Sequence, residues 1–270
     1  MSIFLKDKFS YDLPVWKKIK NKSFYQEIIN QIPSSLIKYL GEIKSINFTD
    51  ALEINSKNFM ICGTKKTIVI KKFKLQNENE LKNKIFIYNQ IKNKKLPCPK
   101  IIKTNKGLFF KLKNDELVIA LNFIEGRFFN GKKIQLKKTA MVISDCFKKT
   151  RSIKFNNFDV DKIFPDNSHE IIQQFMALLP EINVFNNKEK KFIQKNYNKI
   201  LFNENEVLQN INIFKDIRFE MLHRDLHPHN ILIYKDKASL LDLDSVLPTK
   251  WPIAYGFACF KLLRQFCVNY

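Results

Sequence analysis

A dense polar segment between two apolar stretches constrains this chain more than any other feature of its sequence. Residues 223–230 hold three histidines, an arginine, an aspartate and an asparagine. Strands are predicted on either side, over Phe219–Leu222 and Ile231–Tyr234, because short apolar runs bounded by turn residues are typical of buried strands. Such a polar run is costly to fold between buried strands unless it serves a function. We therefore expect the functional site here.

Two kinds of chemistry fit this segment. In the first, imidazole and carboxylate groups bind a transition metal such as zinc, iron or manganese. Its candidate ligands are His223, Asp225, His227 and His229. In the second, the segment serves phosphate transfer, with Asp225 as the base for an acceptor hydroxyl and Asn230 as a ligand of Mg²⁺.

The spacing of the polar residues favours phosphate transfer. Asn230 follows Asp225 by five positions, which is the interval of the H-R-D-x-x-x-x-N catalytic loop. Asp242 follows Asp225 by 17 positions, at the end of an apolar stretch. A strand, loop and strand of this size place Asp225, Asn230 and Asp242 close together. Their side chains offer oxygen ligands, which Mg²⁺ prefers. The metal-hydrolase hypothesis needs a further ligand cluster, and the only other histidine is His169.

The segment also resembles a known group of proteins. Residues 223–232, followed by Leu241-Asp242-Leu243-Asp244-Ser245, are similar to the H-x-D-x-x-x-x-N-x-L and I/L-D-F/L-D elements of the aminoglycoside phosphotransferase and choline kinase superfamily. The resemblance covers most of the chain. It implies a small-molecule kinase that uses ATP and Mg²⁺, with Asp225 as the catalytic residue and Asn230 and Asp242 as metal ligands. Asp244 is open between a contact to metal or acceptor and a role in the turn.

The pattern of the whole chain predicts an α+β, two-lobed, protein-kinase-like fold. The first half predicts an antiparallel sheet with one helix, and the second half is mainly helical. Strands are predicted over 42–49, 58–62, 67–70, 100–103, 108–112 and 116–124, and helices over 77–96, 132–148, 170–179, 188–208 and 253–267. We expect a nucleotide-binding lobe over residues 1–124, a hinge at about 123–127, and a catalytic and acceptor-binding lobe over 128–270.

The same resemblance assigns the nucleotide site. The strand that ends at Lys71 resembles the V-A-I-K strand, so Val69 is expected to cover the adenine and Lys71 to reach the α- and β-phosphates. The first helix is expected to supply an acid that pairs with Lys71. Glu80 is the choice for that acid, with Glu78 as its rival and a capping-box role as the structural alternative.

The stretch between the two halves resembles the hinge strand of these kinases. It ends in an acid and a glycine, Glu125-Gly126. The resemblance implies that the backbone from Phe123 to Glu125 hydrogen-bonds the edge of the adenine ring.

Two departures from the kinase pattern keep an alternative open. The loop 50–57 contains no glycine, and Gly256 stands where the superfamily commonly has the acid of a Tyr-Asp-Leu-Ala element. Together with a net charge of +21, these features suit a non-catalytic protein that binds nucleotides or nucleic acid. The complete set of Asp225, Asn230 and Asp242 argues for an active kinase.

Composition sets the expected partners and location. Lysine supplies most of the positive charge, whereas readers of nucleic acid rely on the guanidinium group of arginine, so nucleic acid is disfavoured as a partner. Arginine occurs at Arg127, Arg151, Arg218, Arg224 and Arg264. The five scattered cysteines and the absence of a long apolar stretch predict a cytoplasmic protein without a membrane partner. We expect a small-molecule hydroxyl acceptor such as a sugar, an amino alcohol, homoserine or an aminoglycoside, and the oligomeric state is open.

Overall fold

A computed structural model of the protein describes residues 16–49, 58–73, 78–113, 116–154, 177, 187–196, 198–199 and 216–267. Within these residues, the first half of the chain forms a six-stranded antiparallel sheet of order β1-β2-β3-β4-β6-β5. The strands are β1 (Trp16–Lys18), β2 (Ile43–Thr49), β3 (Phe59–Gly63), β4 (Thr67–Lys72), β5 (Phe110–Lys111) and β6 (Leu117–Asn122).

Strand β4 shows the alternation that its sequence predicts. Ile68 and Ile70 are buried on one face of the sheet, whereas Val69 and Lys71 point to the other face. Val69 lies opposite Leu121 of β6, and Lys71 lies opposite Ile119. The register therefore carries both side chains to the face where the nucleotide was expected.

Three helices accompany this sheet in the described residues, although the sequence analysis predicted one. They are α1 (Lys22–Gln31), α2 (Ser34–Leu40) and α3 (Glu78–Asn93). The side chain of Asn21 caps α1 by accepting a hydrogen bond from the amide of Phe24 at 3.2 Å. Helices α1 and α2 bury Ile28 and Leu36 against the isoleucines of the sheet, such as Ile61.

The described second half of the chain combines helices with two small sheets. The helices are α4 (Lys133–Thr150), α5 (Asn187–Lys195) and α6 (Trp251–Cys267). The strands are β7 (Arg127–Phe128), β8 (Phe219–His223), β9 (Ile231–Tyr234), β10 (Lys237–Leu240) and β11 (Val246–Lys250). They form the antiparallel sheets β10-β9-β7 and β11-β8. The helix predicted over 170–179 and the end of the one over 188–208 lie outside the described residues, apart from single positions.

The chain passes from the large sheet directly onto the polar segment. After Gly126, strand β7 pairs with β9, with Arg127 opposite Ile233. A Cβ atom at Gly126 would lie 3.0 Å from Cβ of Leu232, so the backbone approaches β9 as closely as a glycine permits. One apolar core then continues through Leu121 of β6 and Phe147 of α4. This arrangement confirms the predicted α+β class, with an antiparallel sheet in the first half of the chain. No helix within the described ranges is both long and apolar enough to cross a membrane.

Candidate active site

Backbone hydrogen bonds bring the polar segment and residues 241–245 together. The amide of Leu241 donates to the carbonyl oxygen of Asn230 at 2.9 Å, and the amide of Arg224 donates to that of Ser245 at 3.0 Å. The Asn230 side-chain amide donates from Nδ2 to the carbonyl oxygen of Asp225 at 2.7 Å. This bond fixes the amide orientation, so the Oδ1 atom of Asn230 remains as the group that can coordinate a cation.

His223 contacts both of these loops. Its side chain is fully buried, with Nε2 at 3.0 Å from the carbonyl oxygen of Leu241 and Nδ1 accepting from the amide of Asp225 at 3.3 Å. Burial lowers the pKa of His223 from its ordinary value, although nearby carboxylates oppose the shift. A neutral imidazole with its proton on Nε2 satisfies both contacts. His223 therefore holds the two loops together.

Asp242 has an uncommon backbone conformation. Its φ of 56° and ψ of 45° are left-handed, which costs an aspartate energy and occurs preferentially at functional sites. Its Oδ2 accepts a hydrogen bond from the Ser245 hydroxyl at 2.6 Å. Burial would raise the pKa of Asp242, but the charge of Lys71 and the hydrogen bonds from Lys71 and Ser245 lower it well below its usual range. The carboxylate is therefore ionised and able to bind a cation.

Lys71 of strand β4, in the first half of the chain, contacts Asp242. Its Nζ forms ion pairs with Oδ1 of Asp242 and Oδ1 of Asp244. Burial of the ammonium would lower its pKa, but the charges of the two carboxylates outweigh this effect and raise it. The lysine is therefore a buried cation that joins β4 to the turn after β10.

The acid expected to pair with Lys71 lies elsewhere. Glu80 is in the first turn of α3, and the ion pairs of Lys71 in the described structure go to Asp242 and Asp244. The residue of α3 that does reach the cluster is Tyr88, whose hydroxyl is 3.5 Å from Oδ1 of Asp244. Burial raises the pKa of Tyr88, so this hydroxyl is a hydrogen-bond donor. The sequence analysis did not assign Tyr88 to the site.

A cavity of about 220 Å³ opens beside these charged groups. Val69 and Leu121 from the large sheet and Leu232 and Leu241 from the second half supply its apolar walls, which suit a flat aromatic ring. Its polar lining includes Lys71, Asn230 and Asp242. Five of the predicted site residues therefore line one cavity: Val69, Lys71, Phe123, Asn230 and Asp242.

The predicted hinge residues occupy different places. Phe123 lines the 220 Å³ cavity, but its amide donates to the carbonyl oxygen of Thr67 at 3.3 Å. Glu125 lines a neighbouring, more open pocket of about 500 Å³ with Thr64 and Lys65 from the turn between β3 and β4. Ile124, which follows Phe123, also lines the 220 Å³ cavity.

His227 lies beside Asp225 and belongs to a row of three rings with His229 and Phe128. Nε2 of His227 is 3.6 Å from Oδ2 of Asp225. The ring of His229 is 5.6 Å from that of His227 and 5.1 Å from that of Phe128, which also lines the cavity. Phe128 was not identified from the sequence, because a single phenylalanine after a strand carries no distinguishing pattern.

The transition-metal hypothesis receives no support from this geometry. Within the described residues, no three or more His, Cys, Asp or Glu side chains form a group that could hold a metal ion. All four candidate ligands of that hypothesis are described, and the ring nitrogens of buried His223 both contact backbone atoms.

Solved structures match this chain in fold, whereas the sequence comparisons found no relative. No protein-family profile matches the sequence, and no curated protein does. Among solved structures, a spectinomycin phosphotransferase in complex with ADP and spectinomycin matches with a TM-score of 0.60 and 15% identity, over 87% of this chain and 78% of that chain. An aminoglycoside 2'-phosphotransferase in complex with GDP matches with a TM-score of 0.57 and 12% identity, over 93% and 83%. A choline kinase from Streptococcus pneumoniae matches with a TM-score of 0.52 and 16% identity, over 91% and 79%.

These matches define the class of fold. The chain has the kinase-like fold of the aminoglycoside phosphotransferases and choline kinases. The resemblance seen in the short elements around Asp225 and Asp242 therefore extends to the tertiary structure.

Proposed function

We propose that the protein is a kinase that transfers the γ-phosphate of ATP to a hydroxyl group of a small molecule. The observation that carries this proposal is that Lys71, Asn230 and Asp242 line one largely apolar cavity, with the side chain of Asn230 hydrogen-bonded to the backbone carbonyl of Asp225. Oxygen ligands and a lysine beside a ring-sized apolar cavity form the donor set that Mg²⁺ and a nucleotide need.

The donor set fits a magnesium ion. Asp242 supplies an ionised carboxylate, and Asn230 supplies an amide oxygen whose orientation is fixed by its bond to Asp225. Both are hard oxygen ligands, and Mg²⁺ completes its coordination shell with waters and phosphate oxygens. We propose Asn230 and Asp242 as the metal ligands. When bound, Mg·ATP supplies the phosphoryl group and neutralises charge on its phosphates.

The remaining residues would bind the nucleotide, orient its phosphates and accept a proton from the acceptor. Val69 covers the base, Lys71 positions the phosphates, and the backbone at 124–125 contacts the edge of the adenine ring. One Oδ atom of Asp225 would accept the proton of the acceptor hydroxyl. The acceptor oxygen would then bond to the γ-phosphorus, in line with the bond to the bridging oxygen that breaks, and ADP would leave. We propose the lobes 1–124 and 128–270, joined at about 123–127, as the two halves of this site.

Two features support Asp225 as the base. Its amide is held by His223 and its carbonyl by Asn230, so its backbone position is fixed from both sides. Its side chain is about half exposed beside His227, which leaves it accessible to a hydroxyl from solvent. A positioned carboxylate of this kind typically contributes a factor of about 10² to 10⁴ to the rate.

ATP consumption with Mg²⁺ tests the proposal. Separate pools of sugars, amino alcohols, homoserine and aminoglycosides serve as acceptors, and Asp225→Ala runs beside the wild-type protein. Turnover that appears with one pool and is lost in Asp225→Ala supports the kinase and identifies its acceptor class. Asp236→Ala is the matched control, because it removes an exposed carboxylate away from the cavity.

Binding measurements separate the alternative from the main proposal. Mg·ATP binding without turnover in any pool favours a non-catalytic nucleotide-binding protein. If neither ATP nor GTP binds, with or without Mg²⁺, the proposed kinase function is wrong.

A further inference from the structure

Two carboxylates of the turn 242–245, and not an acid of α3, hold Lys71. The lysine side chain is 14% exposed and pairs with Asp242 and Asp244. A nearly buried ammonium needs a carboxylate partner, because removal of that partner leaves an uncompensated charge. If one of the two carboxylates is used for another purpose, the other has to keep the lysine in place.

Helix α3 has no carboxylate beside Lys71. Its acids, Glu78 and Glu80, both lie in the first turn, and Glu78 is 3.7 Å from Lys111. Tyr88, which reaches the cluster, lies eight residues beyond Glu80, or about 12 Å along the helix axis. Between them, Lys84 lies over the ring of Phe73. The stretch of α3 near the lysine therefore presents a cation and a phenol.

Under the proposed function, Asp242 also binds Mg²⁺. As a ligand of Mg²⁺ it would exchange its contact with Lys71 for a contact with a divalent cation, and the two cations repel each other. Its other oxygen already accepts a hydrogen bond from Ser245. Asp244 is not one of the two metal ligands proposed above, and its side chain is only 16% exposed. The hydroxyl of Tyr88 contacts its Oδ1 atom from α3.

We propose that Asp244 is the positioning residue that holds Lys71 for the nucleotide phosphates, and that Tyr88 orients Asp244. In this proposal Asp244 and Tyr88 hold Lys71 in place, which the sequence analysis expected Glu80 to do. The inference rests on the proposed function, since it concerns how the same site holds a nucleotide.

Titration calorimetry with two ligands tests the proposal. Mg·AMP-PNP reports on the phosphate contacts, and adenosine reports on the apolar cavity alone. We expect Asp244→Asn to weaken Mg·AMP-PNP binding about tenfold or more, the effect of losing a charge-assisted contact, with adenosine binding unchanged. Tyr88→Phe should act in the same direction by a smaller factor, and Asp244→Glu should recover much of the wild-type affinity.

Two further variants sharpen the test. Asp236→Asn makes the same chemical change at a carboxylate paired with Lys138 and should bind both ligands as the wild type does. In a double-mutant cycle, Lys71→Met/Asp244→Asn should bind Mg·AMP-PNP no more weakly than Lys71→Met, because Asp244 acts through the lysine. A merely structural role would weaken adenosine binding as well and would add to the Lys71 effect.

Several outcomes overturn the inference. One is wild-type affinity for Mg·AMP-PNP in Asp244→Asn, and another is a larger loss in Glu80→Gln than in Asp244→Asn. If Asp244→Asn does not fold, Asp244→Glu and Tyr88→Phe decide, and an unchanged affinity in Tyr88→Phe removes the orienting role. A wild-type protein that binds adenosine and Mg·AMP-PNP equally tightly contradicts the inference alone. A wild-type protein that binds neither ligand contradicts the proposed function itself.

Discussion

Nε2 of the buried His223 lies 3.0 Å from the carbonyl oxygen of Leu241 and so joins the loop that carries Asp225 to the strand that leads to Asp242. Since Nδ1 accepts from the amide of Asp225, the imidazole is neutral and its environment disfavours a second proton. Protonation at Nδ1 would remove the hydrogen bond from the Asp225 amide, because a protonated ring nitrogen cannot accept one.

The first prediction follows from the lowered pKa of His223. The unfolded chain takes up a proton near pH 6.5, whereas the folded protein does so only at lower pH. The free energy of unfolding should therefore be highest above pH 6.5 and fall as the pH is lowered through it, by up to about 1.4 kcal/mol per pH unit. Urea denaturation between pH 5 and 8 measures the slope. His223→Gln should flatten it, and an unchanged slope in this variant contradicts the prediction.

The second prediction concerns the metal ligands. Asn230→Ala removes the amide oxygen and should raise the Mg²⁺ concentration for half-maximal AMP-PNP binding about tenfold or more. Adenosine binding should stay unchanged, because the base contacts apolar walls. Fluorescence titration at fixed nucleotide concentration gives both values. Asn105→Ala, which removes an exposed asparagine paired with Ser35, is the control. Equal Mg²⁺ requirements in Asn230→Ala and wild type would exclude Asn230 as a ligand.

The third prediction concerns Gly256. This glycine is exposed within α6, and a Cβ atom there would meet nothing within 4 Å. Gly256→Ala should raise the free energy of unfolding by about 0.5–1 kcal/mol, because alanine loses less backbone entropy in a helix. Gly126→Ala is the informative contrast, since its Cβ would crowd Leu232 and the carbonyl oxygen of Ile233. Urea denaturation should show opposite signs for the two variants.

The fourth prediction concerns the core beneath the site. Leu240 is fully buried, and its amide donates to the carbonyl oxygen of Pro97 at 2.9 Å. Leu240→Ala should lower the free energy of unfolding by about 2–5 kcal/mol through the cavity it leaves. Ile134→Ala removes a side chain that is 77% exposed and should change stability by less than about 0.5 kcal/mol. A loss below about 1 kcal/mol for Leu240→Ala would mean that the site tolerates repacking there.

Helices α1 and α2 were not predicted, although α1 has a readable pattern. Asn21 is a good N-cap, and Ile28, Ile29 and Ile32 recur at helical intervals after it. Strand β11 was also missed. Its Pro248 argues against a strand, yet β11 pairs with β8 alone and so lies at the edge of a sheet, where proline is tolerated.

The sequence by itself determined the features that depend on neighbours along the chain. The alternation in β4 set the face of Val69 and Lys71, because successive side chains of a strand point to opposite sides. The five-residue interval from Asp225 to Asn230 set the turn in which the Asn230 amide bonds the Asp225 carbonyl. Both depend on local geometry, which is the same wherever the segment packs.

Only the tertiary structure decided which groups meet across the site. Lys71 and its partners Asp242 and Asp244 are separated by 171 and 173 residues, and no local pattern distinguishes these carboxylates from Glu80. The choice depends on how far along α3 the helix crosses the turn 242–245, and that crossing places Tyr88 there. Packing of the shared apolar core sets this position, and packing energy belongs to the whole fold and not to any one segment.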